Sequence, residues 1–297
     1  MKKICLFLSV FICLVFAQIH VVTTLPDFKN IIEIIGGDTV QVTALIKGTQ
    51  DPHHYEIKPS DILTLRRADV VVLNGAELDE YWLNPLLEKS RNTVIQKGAP
   101  GYLDASKGLT LLEIPTGKID RSMGDVHPAG NPHYNVSPSM MKHVVQNIAQ
   151  QLGVLYPESA TLFKTNAEKY NQVLDQHIVQ WKQQLKTLTP IVVYHNSWTY
   201  FFTDFGLTAV GYIEPKPGIS PSPEHLAQLI ATMRKYPQGV VLQEVYENGD
   251  NARFVAAQAG YQHRVIPTLV GGTAAAIDYI HMIDSLVTTI AQSEKNK

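Results

Sequence analysis

The stretch PESATLFKTNAEKYNQVLDQHIVQWKQQL, residues Pro157–Leu185, contains no glycine and no proline after its first residue. Pro157 suits a first helical turn and Pro190 prevents continuation, because proline lacks the N–H that a helix interior needs. The larger apolar residues recur at steps of three and four, the spacing of one helix face. They are Phe163, Ala167, Tyr170, Leu174, Ile178, Trp181 and Leu185. The pattern predicts one long helix.

A helix of this length is longer than a small domain is wide. Its 29 residues (185 − 157 + 1) would span about 43 Å at ~1.5 Å per residue. We therefore expect the helix to join two lobes. The alternative is an ordinary long surface helix within a single domain, and the segments on either side argue against it.

The first 17 residues have the pattern of an export signal. Two lysines precede the apolar run Ile4–Phe16, and Ala17 is the small residue that a signal peptidase prefers. The run is shorter than the ~20 residues of a membrane span. Both cysteines, Cys5 and Cys13, lie in this segment, so the mature chain has neither disulfides nor thiolate metal sites available to it. We predict a signal peptide at residues 1–17 and a soluble periplasmic protein.

The charge balance argues against nucleic acid or a lipid surface as a partner. The chain has 25 basic and 27 acidic residues, and removal of the two N-terminal lysines leaves 23 basic residues and a formal charge of −4 (23 − 27). The sequence contains no basic block of the kind that such partners attract. The remaining 280 residues (297 − 17) suit two lobes.

Short β-branched runs alternate with helical stretches on both sides of the long helix. This alternation predicts parallel βαβ units with helices on both faces of each sheet. The predicted strands are Ile19–Val22, Val40–Leu45, Val70–Leu73, Thr93–Gln96, Ile191–Tyr194, Thr208–Ile213, Gly239–Leu242 and His263–Ile266. The predicted helices begin near Pro26, Ser60, Leu78, Trp198, Pro223 and Asn251, and a last one runs from about Ala275 to Ser293.

These elements predict an α/β protein of two βα lobes, each with a four-stranded mainly parallel sheet, joined by one long rigid helix. The predicted boundaries are 18–156 for the first lobe, 157–188 for the linking helix and 189–297 for the second lobe.

Three histidines stand where strands end or helices begin. His53 follows the second strand, His133 precedes the helix capped by Ser137, and His195 leaves the first strand after the long helix. Ligands of parallel α/β lobes gather beyond the carboxyl ends of the strands, so the three could meet in a cleft. Neutral imidazole is the commonest protein metal ligand, and three of them with an oxygen or water suit tetrahedral Zn²⁺.

A lone histidine is more often a hydrogen-bonded structural residue than a ligand, and the other eight histidines are interpreted in that way. We expect His54 to be a solvent-facing or outer neighbour of the site. His127 stands in a loop rich in proline and glycine and could help to capture metal, but it is not assigned as a ligand.

Five segments together resemble one protein family. They are Asp51–Glu56 (DPHHYE), Ala68–Leu78 (ADVVVLNGAEL), Gly130–Tyr134 (GNPHY), Tyr194–His195 (YH) and Ile213–Pro223 (IEPKPGISPSP). The combination is similar to the zinc/manganese-type solute-binding proteins of bacterial ABC importers, the periplasmic zinc-binding protein family. The resemblance implies two lobes tied by a rigid helix, with a metal ion held in the cleft between them.

The resemblance also implies the ligands. The family's metal histidines fall on His53, His133 and His195. Manganese-type members usually have a carboxylate at the third position, so an imidazole at His195 favours zinc. The family's late aspartate has no acidic match in Pro267–Gly272, and the fourth ligand is therefore expected to be Glu244, at the end of a strand, or water.

The function implied is that of a monomeric periplasmic receptor that captures Zn²⁺ and delivers it to an inner-membrane ABC permease, with zinc as cargo and not as a catalytic cofactor. A manganese or other divalent-metal receptor, a metal-dependent adhesin or a metallochaperone would share the same ligands. A three-histidine zinc hydrolase is a further alternative. The sequence has neither a His-Glu-x-x-His stretch nor a nucleophile elbow, and we expect no enzyme.

Overall fold

The computed structural model of the chain describes residues 18–117, 119, 123–185 and 189–293. The predicted signal peptide, residues 1–17, lies outside the described residues, and so does the end of the predicted linking segment, residues 186–188. Within the described ranges, no helix combines the length and the apolar character that crossing a membrane requires.

The first lobe is built on a four-stranded parallel sheet with the strand order β2-β1-β3-β4. Its strands are β1 (Ile19–Thr23), β2 (Val40–Ala44), β3 (Val70–Leu73) and β4 (Tyr102–Asp104). Three helices connect them, α1 (Pro26–Gly36), α2 (Pro59–Arg66) and α3 (Glu80–Ser90). All four residues of β3 are buried, as expected for a central strand that helices cover on both faces.

Two helices follow the first sheet. The helix α4 (Pro138–Leu155) starts at the predicted cap, where the Ser137 side chain accepts a hydrogen bond from the Met140 N–H. A 3₁₀ turn at Pro157–Ser159 then leads into the long helix α5 (Ala160–Gln184). The predicted long helix is therefore confirmed.

The second lobe repeats the architecture of the first, with the strand order β6-β5-β7-β8 and all pairs parallel. Its strands are β5 (Ile191–Val193), β6 (Ala209–Tyr212), β7 (Val240–Glu244) and β8 (Gln262–Ile266). Its helices are α6 (Thr199–Phe205), α7 (Pro223–Met233), α8 (Asp250–Ala259) and α9 (Tyr279–Gln292). Two parallel sheets joined by a long helix confirm the predicted fold class.

The helix α5 packs against both lobes. It contacts α1 and α4 of the first lobe and α9 at the end of the second. Phe163 and Leu174 of its apolar face are fully buried, and the Trp181 indole N–H donates a hydrogen bond to Asp284 of α9. One hydrophobic cluster runs without a break from α1 through α5 to the strands β5 and β7. The linking helix is thus part of a shared core.

The predicted strand Thr93–Gln96 is wrong. Residues Thr93–Ile95 form a 3₁₀ turn, and the side-chain oxygen of Asn92 accepts a hydrogen bond from the Val94 N–H at 3.3 Å. The strand that pairs with β3 on the side away from β1 is β4, which begins nine residues after Thr93. Ile95 is buried, but local hydrogen bonding by Asn92 outweighs strand propensity here.

Five predicted helix starts are displaced by one to four residues, and two of them illustrate the local causes. The helix α2 begins one residue before Ser60, because Pro59 takes the first helical position and Asp61 accepts a hydrogen bond from the Lys58 N–H at 2.7 Å. The last helix begins four residues after Ala275, where Asp278 caps it.

A buried carboxyl, Asp27, ties α1 to the second lobe. Its Oδ2 accepts a hydrogen bond from the Val270 N–H at 3.3 Å, and its Oδ1 accepts one from the Asn135 side chain at 3.4 Å. The same Asn135 amide donates to the Thr268 carbonyl at 2.8 Å. Burial raises the pKa of Asp27 to about 7, although these hydrogen bonds act in the opposite direction. The folded state therefore favours the protonated acid.

This shift gives a testable pH dependence. An acid with a raised pKa in the folded state contributes stability below its unfolded pKa of 3.8, and that contribution is lost as the pH rises to about 7. We expect the free energy of unfolding of the wild type, minus that of Asp27→Asn, to fall between about pH 4 and pH 8, by at most about 4 kcal/mol. Urea melts at a series of pH values measure the difference, and a constant difference would contradict the raised pKa.

Candidate metal centre

Three histidines from separate segments meet in the cleft between the lobes. The ring nitrogens of His53, His133 and His195 that face one another all lie within 4.8 Å. The ring centroids are 5.1 to 5.4 Å apart, and the two Nε2 atoms of His53 and His133 are 3.0 Å apart. His133 and His195 are buried, with 6% and 5% of their surface exposed. The structure brings together the three histidines that the sequence singled out.

The loop that carries His53 is fixed at three points. The Asp51 carboxylate accepts a hydrogen bond from the His53 N–H at 2.8 Å, an Asx turn. The Trp82 indole donates to the Pro52 carbonyl at 3.0 Å. At Gly48 the loop touches the second lobe, and an added Cβ would lie 2.2 Å from the Val270 carbonyl oxygen. Only glycine fits this contact.

His133 is oriented by the side chain of Asn131. The Asn131 Oδ1 accepts hydrogen bonds from the His133 backbone N–H at 3.0 Å and from its ring Nδ1–H at 2.9 Å. Because Nδ1 carries the proton, Nε2 keeps its lone pair and faces the other two histidines.

The Asn131 amide is itself oriented from across the cleft. Its Nδ2 donates to the Asn196 carbonyl and to the Glu113 carboxylate, both at 2.9 Å. Since both partners only accept, the amide nitrogen must face them and its oxygen must face His133. Glu113 also accepts hydrogen bonds from the Asn196 side chain at 2.7 Å and from Thr199 at 2.9 Å. The network joins the two segments that carry His133 and His195.

His195 has a carboxylate partner. Its Nδ1 lies 2.7 Å from a Glu214 carboxylate oxygen, which also accepts a hydrogen bond from the Gly218 N–H at 3.0 Å. Burial lowers the pKa of His195, but the hydrogen bond to Glu214 and the nearby charge of Glu244 outweigh burial and raise it overall. A carboxylate behind a histidine fixes the ring and makes its other nitrogen a stronger donor to metal.

The other two histidines are neutral at neutral pH. Burial and the neighbouring imidazoles lower the pKa of both His53 and His133 well below the ordinary value. Neutral imidazole is the form that binds metal. The cluster can therefore present its nitrogen lone pairs to a cation without first losing protons at these two residues.

The cavity beside the cluster is small. It measures about 200 Å³ and is lined by His133, His195, Asn196, Glu113 and His127 among others. Sites for organic ligands typically occupy about 300–1,000 Å³. The volume and the nitrogen-rich lining fit a single ion better than an organic substrate.

Comparison with known proteins decides the family. The profile of the family described as zinc-uptake complex component A, periplasmic (ZnuA), matches residues 21–293. The chain belongs to this family.

Individual relatives agree with the profile. A Thermotoga maritima protein named for metal binding is 31% identical over 216 residues, which cover 71% of this chain and 70% of the relative. The high-affinity zinc uptake system protein ZnuA of Bacillus subtilis is 27% identical over 259 residues, or 86% of this chain and 79% of that protein. A crystal structure of ZnuA superposes with a TM-score of 0.78 at 26% identity, covering 93% of this chain and 99% of the other.

Glu244, which the sequence analysis offered as a fourth ligand in this ZnuA-family chain, lies at the end of β7 and is fully buried. Its Oε1 accepts a hydrogen bond from the Trp198 indole at 3.0 Å, and its Oε2 has no partner among the described residues. Glu244 belongs to neither of the two groups of ligand atoms that lie within 4.8 Å of one another in the described residues. Its role as a ligand stays a prediction.

Two further histidines border the cluster. His54 is exposed and pairs with the Asp51 carboxylate at 2.8 Å, which places it as an outer neighbour. His127 stacks on His53 with ring centroids 5.2 Å apart. The sequence analysis did not assign His127, because a single histidine in an irregular loop has no spacing that points to a site.

Glu247 is a residue of the cluster that was not predicted from the sequence. Its carboxylate groups with His195 and Glu214 within 4.8 Å, and burial together with the charges of Glu244 and Glu214 raises its pKa to about 7. Glu247 stands three residues beyond β7, at the same sheet edge as His195. That position after a parallel strand was the available indication.

The contact between His195 and Glu214 predicts a measurable pKa change. Replacement of Glu214 by Gln removes the negative charge that favours the imidazolium, so we expect the His195 pKa to fall in the metal-free protein. NMR titration of the ring signals measures it. Glu224→Gln, an exposed change on α7, is the control and should leave the His195 pKa unaltered. An unchanged pKa in Glu214→Gln would contradict the assigned interaction.

Proposed function

We propose that the protein is a periplasmic solute-binding protein that captures Zn²⁺ in the cleft between its lobes and delivers it to an ABC-type metal importer. The observation that carries the proposal is the convergence of three imidazole nitrogens, from His53, His133 and His195, within 4.8 Å. Two of these rings have their Nδ1 atoms engaged by Asn131 and Glu214, which leaves Nε2 for the metal. The names of the zinc-uptake relatives support the same function.

The proposed ligands favour zinc over harder ions. Nitrogen donors suit Zn²⁺, and three imidazoles with one further group complete a tetrahedral site. Glu244 and water are the candidates for the fourth position that the sequence offers. The zinc is cargo, so we propose a binding protein and no enzyme. We propose the permease as its partner and a monomer as the functional unit. The predicted signal peptide supports export to the periplasm, and lobes at 18–156 and 189–297 around the linking helix remain our proposed division of the chain.

A manganese receptor is the second candidate. Glu214 and Glu247 place carboxylate oxygens beside His195, and oxygen donors suit Mn²⁺. The Glu214 carboxylate, however, is already hydrogen-bonded to the His195 ring and to the Gly218 N–H. Parallel titrations with both metals separate the two candidates, and tighter binding of Mn²⁺ than of Zn²⁺ would reverse the order proposed here.

The histidine assignments are tested by substitution. We expect His53→Ala, His133→Ala and His195→Ala each to weaken Zn²⁺ binding at least ~100-fold, more than the roughly 10–100-fold cost of losing an outer partner. Calorimetric titration of chelator-stripped protein measures the affinity, and circular dichroism checks that each metal-free variant folds. His54→Ala and His281→Ala are controls at exposed histidines. Normal zinc binding by one variant removes that histidine from the site, and normal binding by two refutes the site.

Protons should compete with zinc. The pKa values of His53 and His133 lie well below 6.5, whereas the pKa of His195 is raised above 6.5. Because an imidazolium cannot bind metal, we expect zinc affinity to begin falling at a pH above 6.5 and to continue falling as the pH drops. Zinc titrations from about pH 8 to pH 5 measure the profile. Constant affinity over this range would indicate a site made of carboxylates.

A further inference from the structure

A fourth imidazole, that of His127, lies beside the three proposed ligands. His127 lines the cavity together with His133 and His195, and its ring stacks on His53 at 28° between the ring planes. Its Nε2 is buried and has no hydrogen-bond partner among the described residues. Burying an imidazole nitrogen without a partner is costly. Binding of a ligand such as a metal ion to the His127 Nε2 would offset this cost.

The loop that carries His127 is attached to both lobes. On the first lobe, the Ala129 N–H donates a hydrogen bond to the Glu77 carboxylate at 3.1 Å. On the second lobe, the Asp125 N–H donates to the Pro217 carbonyl at 2.9 Å. The loop therefore crosses the mouth of the cleft, and these two bonds hold His127 at the rim of the cavity.

The turn that presents Glu77 to this loop has an unfavourable backbone conformation. Ala76 and Glu77 have φ values of +52° and +66°, a region that side chains other than glycine rarely adopt. The buried Asp79 carboxylate holds the turn by accepting hydrogen bonds from the Asn74 and Gly75 N–H groups at 2.6 and 3.2 Å. Strain of this kind persists where the surrounding structure imposes it, often at ligand sites.

We propose that His127 is the fourth ligand of the bound zinc ion, in place of Glu244 or water. The inference rests on the proposed function. The buried Nε2 without a partner and the stacking on His53 place the ring where it can contribute a nitrogen to the same ion. Four imidazoles complete a tetrahedral zinc site. Glu244 also has a buried oxygen without a partner among the described residues, Oε2, but its Oε1 already accepts a hydrogen bond from Trp198.

Ligation by His127 requires a short movement of its ring. His127 lies outside the group of ligand atoms within 4.8 Å, so zinc binding must draw its ring from the stacked position toward the other three histidines. Because the loop is bonded to both lobes, ligation by His127 would close the rim of the cavity over the ion. A site closed in this way excludes water and favours an ion that prefers nitrogen ligands.

Zinc-edge X-ray absorption and calorimetry of the zinc-loaded mature protein test the inference. We expect four imidazoles around zinc in the wild type and three in His127→Ala. The zinc affinity of His127→Ala should be at least roughly tenfold lower than that of the wild type. His54→Ala is the matched control, a histidine next to the site that should change neither quantity. His127→Gln is a second variant in case the alanine form does not fold.

The outcomes separate the inference from the function. If the wild type binds zinc and His127→Ala keeps both its imidazole count and its affinity, His127 is not a ligand. Loss of a zinc ligand in Glu244→Gln would then assign the fourth position to Glu244. If neither variant loses a ligand, the fourth position belongs to water. Both results overturn the role of His127 but leave the proposed function intact. Failure of the wild type to bind zinc would overturn the function itself.

Discussion

The side-chain amide of Asn131 imposes two constraints on the site at once. Its oxygen accepts a hydrogen bond from the His133 ring, and its nitrogen donates to the Asn196 carbonyl and the Glu113 carboxylate. An amide has one acceptor end and one donor end, so these contacts can be satisfied in one orientation only. The tautomer of His133 therefore follows from the positions of Glu113 in the first lobe and of Asn196, next to His195, in the second. Contacts from both lobes orient this histidine.

The lobes are held in that docked arrangement by shared packing. The helix α5 contacts helices of both lobes, and one hydrophobic cluster continues from one lobe into the other. Wide opening of the cleft would have to break this core or bend a helix that has neither proline nor glycine within it. The segments that carry His53 and His127 are loops attached by a few hydrogen bonds. A conformational change on metal binding therefore costs less free energy in these loops than in the packing between the lobes.

The fold and the convergence of the three histidines could be predicted from the sequence, because both follow from local rules. Helical spacing in α5 and β-branched runs report burial directly, and parallel strands collect polar loop residues at one edge. The strand predicted at Thr93–Gln96 failed because a single capping side chain, Asn92, decides the local structure there. His127 and Glu247 could not be assigned, because their closeness to His53 and His195 depends on how the loops cross the cleft. Spacing along the chain does not encode that crossing.

The site contains imidazole nitrogens that can bind a metal ion and carboxylates that can balance its charge. Neutral imidazoles can donate lone pairs to a divalent ion but cannot balance its double positive charge. Glu214 and Glu247 group with His195, and the buried Glu244 acts on it electrostatically. Burial raises the pKa of Glu244, and burial together with the neighbouring carboxylates raises that of Glu247. A dication in the cluster would relieve this repulsion and lower both pKa values. Binding would then release protons, so the affinity of the site and its charge balance depend on the same residues.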